Sequence, residues 1–594
     1  MIKRATSGRR PRRVRSALVW AVYLALAAGV VTTVWVGGRA ALAVEHLRSA
    51  QATVSAAARS SDDPAAAIAL LGPVGADAAA ARSLTSDPIW RLAEMSPWVG
   101  PQLRAIARTA AATDDAVTGG IAPLASVAGD LAPRALQSAG GVVDVARLAS
   151  AHPAVAVAAE ALGRSADEVR EIDSGPLLGR LSNAVAHAAD ALGTAADRAD
   201  SLARATALAP RMLGDDGPRS TLVLFQNNAE WRSLGGVVGA VAQIDADSGR
   251  ISLSAQGSSG DFASLSAEPV APLPADVQSI YDTRPARFIQ NVTQVPDFTV
   301  GAPLAREMWR RVHGAEVDAV VALDPVTLSY LLRATGPVLL PSGDVLTADS
   351  AVPLLLQDVY ARYADPNAQD AFFQAASVAV FQAVTEGRAD PAALVDALAR
   401  ASAERRLLIW NADADTQSIL DGTPAQGTLP VSDATRSTVA VYLDDGTGSK
   451  MDYYLHPRVE TAWCSTGTAS VHVDLRSDAP DPAALPPYVT GAGVYGVTPG
   501  HALTGVYVYL PPGASVIDQQ TSSDASVTSG FAGGSHGGRP VVKWSVDLPP
   551  GAQASLDLEV SLPAAPVLDA VMTPTRDPDE VPTTGVCRFP NDEG

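Results

Sequence analysis

The sequence predicts a multidomain α+β protein: an N-terminal transmembrane helix, an Ala-rich helical bundle or stalk, a three-layer α/β/α domain and a C-terminal β-sandwich. Three observations predict it. The chain has 594 residues, well beyond the ~250–300 at which single cores stop growing, so several domains are needed. The apolar spacing changes along the chain, from three- and four-residue steps before residue 210 to short β-type runs after about residue 431. Charge is partitioned as well. Seven of the 44 basic side chains and none of the 63 acidic ones fall in residues 1–38, a pattern suited to a protein whose ends face different compartments.

Residues 1–16 form a basic tail carrying Lys3, Arg4, Arg9, Arg10, Arg12, Arg13 and Arg15. The uncharged run that follows has its apolar heart at residues 17–36. At ~1.5 Å per residue this spans roughly 30 Å, the thickness of the hydrocarbon layer. Trp20, Tyr23 and Trp35 lie near its ends, where amphipathic rings favour the interface. The positive-inside rule keeps the tail cytoplasmic and sends the bulk outward, so a single-pass cell-membrane protein with an extracytoplasmic body is expected. The alternative is a cleaved signal peptide with Ala41-Leu42-Ala43 as its small-x-small site. Against it, the apolar run exceeds the ~7–15 residues usual for a signal core. The formal net charge of −19 argues against nucleic-acid binding, which needs Lys and Arg at phosphates.

Residues 44–210 are Ala-rich with helical periodicity, as at Leu181, Val185, Ala188, Leu192, Ala195 and Leu202. Gly72-Pro73, Pro97, Gly119-Gly120, Pro153 and Gly175-Pro176 are expected to split this region into several helices. The region reads as a stalk or bundle; a groove for a lipid chain is the alternative reading.

An α/β core domain is expected over residues 217–430. Residues 221–226, 237–245 and 250–256 read as strands, with Ala246-Asp247-Ser248-Gly249 as a hairpin turn. Residues 317–323 read as a buried strand, and Pro325 opens a helix in its first turn. Further helices and a strand at 407–410 complete the layers. From residue 431 to 594, β runs at 438–443, 450–459, 470–475, 505–510, 541–546 and 554–562 suggest a sandwich. Cys464 and Cys587 both fall there. In an oxidising space they are expected to pair, with two free thiols as the alternative.

Several motifs carry no chemistry on this reading. Gly491, Gly493 and Gly496 satisfy GxGxxG, but β-like sequence follows where a helix is needed. Gly533, Ser535 and Gly537 satisfy GxSxG in a Gly-rich β-domain loop rather than a strand-to-helix turn. Asp245, Asp247 and Gly249 echo a calcium loop without its terminal Glu. The eight histidines are scattered, with no HExxH or CxxC, so zinc is not expected.

The informative segment is Gln226-Asn227-Asn228-Ala229-Glu230-Trp231-Arg232-Ser233-Leu234-Gly235-Gly236, which follows a clear strand. In open α/β sheets ligand crevices lie at strand ends, and a guanidinium suits phosphate or carboxylate recognition. Two readings stay open: a ligand site, or a turn whose Asn, Glu and Arg satisfy one another.

FQNNAEWRSLGG resembles the signature of the domain-of-unknown-function family 4012, membrane-anchored proteins of bacterial surfaces. Pro296-Asp297-Phe298, the run at 318–338, KMDYYL at 450–455 and PWVGPQL at 97–103 are similar to other pieces of that family. The order of elements also resembles, more distantly, the LytR-CpsA-Psr phosphotransferases, which move glycopolymers from polyprenyl pyrophosphate to the cell wall. On that resemblance Arg232 matches a first Arg loop, Asp261 a second loop and Asn291 an Asn segment. The second loop lacks its usual arginine, for which Arg284 or Arg287 could substitute.

The expected function is therefore that of an envelope protein binding or scaffolding cell-wall or lipid-linked glycopolymer, with peptidoglycan as another partner. Asn227, Asn228, Arg232, Arg287 and Asn291 are the candidate ligand-binding residues. The alternative is a phosphotransferase of the second kind. In it Glu230 and Asp261 are the candidate catalytic carboxylates, with Asp261 holding Mg²⁺. The sequence leaves open whether the protein is an enzyme.

Overall fold

The computed structural model describes residues 12–59, 71–136, 142–386, 388–493 and 495–589. The chain forms two compact units, Met1–Ala135 with Ala146–Ala207, and Leu136–Val145 with Leu208–Gly594.

The first unit is helical: Arg12–Arg59, Leu71–Leu84, Pro88–Ala93, Gly100–Asp115, Val145–Arg170 and most of Gly179–Met212. Its interior is built from small side chains with a few large ones. Val36, Ala43, Ala81, Trp90, Leu103, Ile106 and Ala110 form one buried cluster. Two expected breaks are corrected. Pro153 lies inside the continuous helix Val145–Arg170. An interior proline costs ~3 kcal/mol, which burial of Ala151, Val155, Ala158 and Leu162 on either side offsets. Gly119 and Gly120 sit in a π-helical turn, Ala116–Ile121, that continues the preceding helix. A Cβ on Gly120 would come within 2.6 Å of Leu162, so these glycines serve close helix packing rather than a break.

The expected span lies within the 48-residue helix Arg12–Arg59. Among the described residues no helix is long and apolar enough to cross a membrane, so the described helices do not support a transmembrane segment. The side chains of 12–19, 21, 22, 25 and 28 lie outside the described residues, as does the basic tail through residue 11.

The second unit begins with a mixed sheet built on β1 (Arg219–Arg232), β2 (Gly235–Asp247), β3 (Arg250–Ser258) and β4 (Ala319–Leu323). A small ribbon follows, β5 (Val338–Leu339) with β6 (Val345–Leu346), and β7 (Leu408–Asn411) completes the sheet in the order β3-β2-β1-β4-β7. Within this sheet β1 and β4 pair in parallel and the other described neighbours antiparallel. The β2–β3 turn falls where expected, with Ser248 and Gly249 both at positive φ. Alternation sends the two sides of the sheet into different cores. Leu222, Leu224, Val320, Ala322 and Leu408 pack with helix Phe298–His313. Val321, Leu323 and Ile409 pack with helices Pro325–Thr335, Pro366–Thr385 and Pro391–Ala403.

The C-terminal half adds β8 (Arg436–Asp445), β9 (Leu455–Ser465), β10 (Thr468–Ser477), β11 (Ala502–Tyr509), β12 (Ser515–Ser523), β13 (Thr528–His536), β14 (Arg539–Leu548), β15 (Gln553–Ser561), β16 (Val567–Met572) and β17 (Thr583–Thr584). They form two five-stranded sheets, β12-β15-β10-β9-β17 and β13-β14-β11-β8-β16. Val439, Val441 and Leu443 of β8 share a core with Val471, Val473 and Leu475 of β10. Ala440 and Tyr442 point the other way, into a cluster with Val277 and Tyr281 of helix Ala275–Tyr281. One sheet of the sandwich is thus covered on both faces, and its strand β8 ends beside the α/β sheet.

Two expectations here change. Residues 451–454 form a 3₁₀ turn rather than the start of a strand, because Asp452 is drawn back to bond the Trp231 amide. Strands β12 and β13 were not expected. Nearly all their side chains are exposed, so their Ser/Thr/Gly-rich sequence shows no apolar alternation. The expected disulfide is present, joining Cys464 at the end of β9 to Cys587 beyond β17, with Cα atoms 5.1 Å apart.

Candidate functional site

The site is built at the C-terminal end of β1. Pairing with β2 jumps from Asn227↔Val237 to Trp231↔Gly236, so Asn228, Ala229 and Glu230 bulge out of the ladder. The bulge depends on Gly236, where a Cβ would lie 2.3 Å from the Asn227 carbonyl. The Gly236 amide donates to Gln226 Oε1 at 2.8 Å.

The bulge carries Glu230 into the interior between two cations. Its Oε1 accepts from Arg232 Nη2 at 3.0 Å, and its Oε2 pairs with Lys450 Nζ. Burial alone would raise the Glu230 pKa, but the charges of Lys450 and Arg232 outweigh it and hold the carboxyl below its ordinary range. Burial would likewise lower Lys450, and Glu230 reverses this, so its pKa is raised. Arg232 also donates from Nε to Asn291 Oδ1 at 2.9 Å and from Nη1 to the Trp231 carbonyl at 2.7 Å.

Three more buried carboxyls arrive from the end of β8 and the following turn. Asp444 accepts from the Ser233 amide at 2.7 Å, Asp452 from the Trp231 amide at 2.7 Å, and Asp445 from the Thr447 amide at 3.0 Å. With four carboxyls and two cations, burial wins at the surplus acids. It pushes Asp444 up to about 7 and, helped by the Glu230 charge, Asp445 up to about 6. Asp452 is pushed well above its ordinary value by burial and the neighbouring Asp445. Asp444 Oδ2 and Asp452 Oδ1 are buried without a hydrogen-bond partner among the described residues.

This network floors a cleft of about 740 Å³. Its polar lining includes Asn227, Glu230, Arg232, Arg284, Arg287 and Asn291; its apolar lining includes Phe225, Val237, Val238, Leu323, Leu328 and Phe373. Tyr360 and Tyr488 stack at 5.5 Å between ring centres, with Lys450 over both faces. Asp282, also in the lining, holds a positive φ of 61°.

Six of the residues singled out in the sequence therefore meet in one cleft: Asn227, Glu230, Arg232, Arg284, Arg287 and Asn291. Two do not line it. Asn228 is fully buried and donates to the Pro574 carbonyl at 2.9 Å. Asp261 is exposed and closes a capping box, its Oδ2 accepting from the Ser258 amide at 2.8 Å. Among the described residues no three His, Cys, Asp or Glu side chains are grouped to hold a metal. Lys450, Asp444, Asp445, Asp452, Tyr360 and Tyr488 were not foreseen. One signal was available for Lys450, a rare lysine (with Lys3 and Lys543) in an Arg-dominated chain.

The guanidiniums differ in their commitments. Arg232 is consumed by Glu230, Asn291 and the Trp231 carbonyl. Arg287 donates from Nε to the Ser266 carbonyl at 2.7 Å and from Nη2 to the same oxygen. Arg284 is exposed, and its guanidinium has no hydrogen-bond or ion-pair partner among the described residues.

A mixed α/β sheet whose strand-end cleft is closed by a β-sandwich, with a buried salt-bridge network in its floor, defines the class: an α/β domain fused to a β-sandwich. Residues 216–360 match the family model described as Protein of unknown function (DUF4012), the family expected from FQNNAEWRSLGG. The match ends at Tyr360, so Lys450 and the three aspartates lie beyond it. No curated protein and no solved structure matches the chain.

Proposed function

We propose that this is a membrane-anchored envelope protein whose cleft binds, without transforming, a lipid-linked anionic glycopolymer. The observation that carries the reading is the mixed lining of the cleft. Phe225, Val237, Val238, Leu323, Leu328 and Phe373 offer apolar surface, while the uncommitted Arg284 and the Tyr488 ring offer a cation and an aromatic face. An amphiphile with an anionic, sugar-bearing head suits such a lining. The anchor rests on the sequence of residues 17–36 and on the exposed apolar side chains Trp20, Tyr23, Leu24, Leu26, Val30, Val31 and Val34 of helix Arg12–Arg59.

Phosphotransfer is the weaker reading. It requires guanidiniums free to neutralise a pyrophosphate and a carboxylate to hold Mg²⁺. Arg232 is bound into the floor, Arg287 is donating to a carbonyl, and Asp261 caps a turn outside the cleft.

The test is a titration of the full chain in mild detergent with polyprenyl phosphate and, in parallel, with the uncharged polyprenol. Saturable binding of the phosphate, weakened by Arg284→Glu, supports the reading. Release of polyprenyl phosphate from a polyprenyl-pyrophosphate glycan in the presence of a wall acceptor would replace it with the transferase reading.

A further inference from the structure

A second apolar surface lies outside the cleft, in the helical unit. The short helix Pro88–Ala93 turns Trp90 into the core and leaves Ile89 and Leu92 outside. The turn that follows exposes Met95, Trp98 and Val99. Trp98 is 87% exposed, Met95 78% and Leu92 68%, although large side chains of this kind are ordinarily covered.

The position of this turn is fixed by contacts to helix Arg12–Arg59. Val36 and Trp90 belong to one buried cluster. Arg39 pairs with Asp87 at 3.1 Å and donates to the carbonyls of Leu84 and Ser83 at 2.8 and 2.9 Å. Its guanidinium also lies 5.2 Å from the Trp35 ring. Asp87 in turn caps Pro88–Ala93, accepting from the Ile89 and Trp90 amides. The turn is therefore tied to the long helix where its exposed apolar side chains, Val30, Val31, Val34 and Trp35, give way to a charged one.

We infer that residues 88–99 are a membrane-surface contact, with Ile89, Leu92, Met95 and Trp98 seated in the headgroup region of the bilayer beside the anchoring helix. The inference rests on the anchor reading above. Three observations select lipid as the occupant. The patch is tethered, through Arg39 and Asp87, beside the apolar stretch of the helix that ends at Trp35. It combines Trp with Ile, Leu and Met, the composition of interfacial segments. Its one exposed charged side chain is a cation, Arg91, with Glu94 half-buried, and an exposed cation suits an anionic lipid surface.

Because Cys464 and Cys587 are disulfide-bonded, a single introduced cysteine can be labelled uniquely. Met95→Cys and Leu26→Cys, each in the full chain, would carry a nitroxide into vesicles of phosphatidylcholine and phosphatidylglycerol. Accessibility to oxygen reports lipid; accessibility to a water-soluble nickel chelate reports solvent. The expected result is a deep label at residue 26 and a label at 95 at headgroup depth, shielded from the chelate and open to oxygen. A label at 26 in lipid with 95 fully open to the chelate overturns this inference and leaves the anchor standing. A label at 95 shielded from both reagents means that protein, such as a second copy, covers the patch, and also overturns it. A label at 26 open to the chelate overturns the anchor and this inference together.

Discussion

Lys450, in the turn after β8, is ion-paired inside the protein with Glu230 of the β1 bulge, 220 residues earlier in the chain. The pair joins the α/β sheet to the sandwich at the floor of the cleft. Breaking it by one substitution strands a buried charge, which typically costs ~3–5 kcal/mol. Lys450→Met and Glu230→Gln should each lower the unfolding midpoint of the second unit strongly. The double variant should recover part of the loss, because neither charge is then left alone. Equal, additive losses measured by denaturant unfolding would show that the two side chains do not interact.

The surplus acids predict a pH dependence of opposite sign to the usual carboxylate case. Asp444 and Asp445 are raised to about 7 and about 6, so the unfolded chain loses their protons first as pH rises. Their stabilisation is complete below the ordinary carboxylate range and is lost as pH climbs through about 7. Each contributes a slope of up to about 1.4 kcal/mol per pH unit inside that window. Asp444→Asn should flatten the fall in unfolding midpoint between pH 5 and 8 and leave the variant more stable than the parent at pH 8. A wild-type midpoint that rises over the same interval would contradict this.

Gly236 predicts the fragility of the bulge. A methyl group there meets the Asn227 carbonyl carbon and oxygen at 2.3 Å, against backbone that cannot rotate away. Gly236→Ala should cost ~1–3 kcal/mol as an overpacked site and disturb Glu230 along with it. Gly239→Ala makes the control, since its Cβ meets nothing within 4 Å.

The disulfide predicts where reduction is felt. Cys464 and Cys587 are separated by 123 residues, for which the chain-entropy model allows up to ~5 kcal/mol. The C-terminal segment is otherwise tied to β9 by the two-residue strand β17 and an Arg588–Glu460 contact at 3.1 Å. Reduction, or Cys464→Ser with Cys587→Ser, should lower the unfolding midpoint and open residues 581–589 to protease before the rest of the sandwich. Unchanged proteolysis would show that β17 holds the tail without the bridge.

What could be read in the sequence was what is local. The β2–β3 turn, strand β4, the Pro325 helix start and the cysteine pair all follow from residues close together or from a single chemical rule. Elements whose signal is burial pattern were missed when that pattern was absent, as for the exposed strands β12 and β13. Pro153 and Gly119-Gly120 misled because tertiary packing overrode local punctuation. The bulge sequence pointed to the cleft, with Asn227, Glu230 and Arg232. Their partner Lys450 was out of reach, because nothing in the sequence between the two residues, 220 positions apart, specifies that the sandwich returns to the end of β1.

On the proposed function, the cleft holds an amphiphile with an anionic, sugar-bearing head. Native mass spectrometry of the full chain, released from membranes in mild detergent, tests it most directly. The expected spectrum shows a bound phosphorylated isoprenoid carrying sugars, with occupancy about tenfold lower, or about 1.4 kcal/mol, in Arg284→Glu or Tyr488→Ala. Protein that carries no such adduct, even after incubation with added polyprenyl phosphate, or that carries it equally in both variants, would rule out an amphiphile in the cleft.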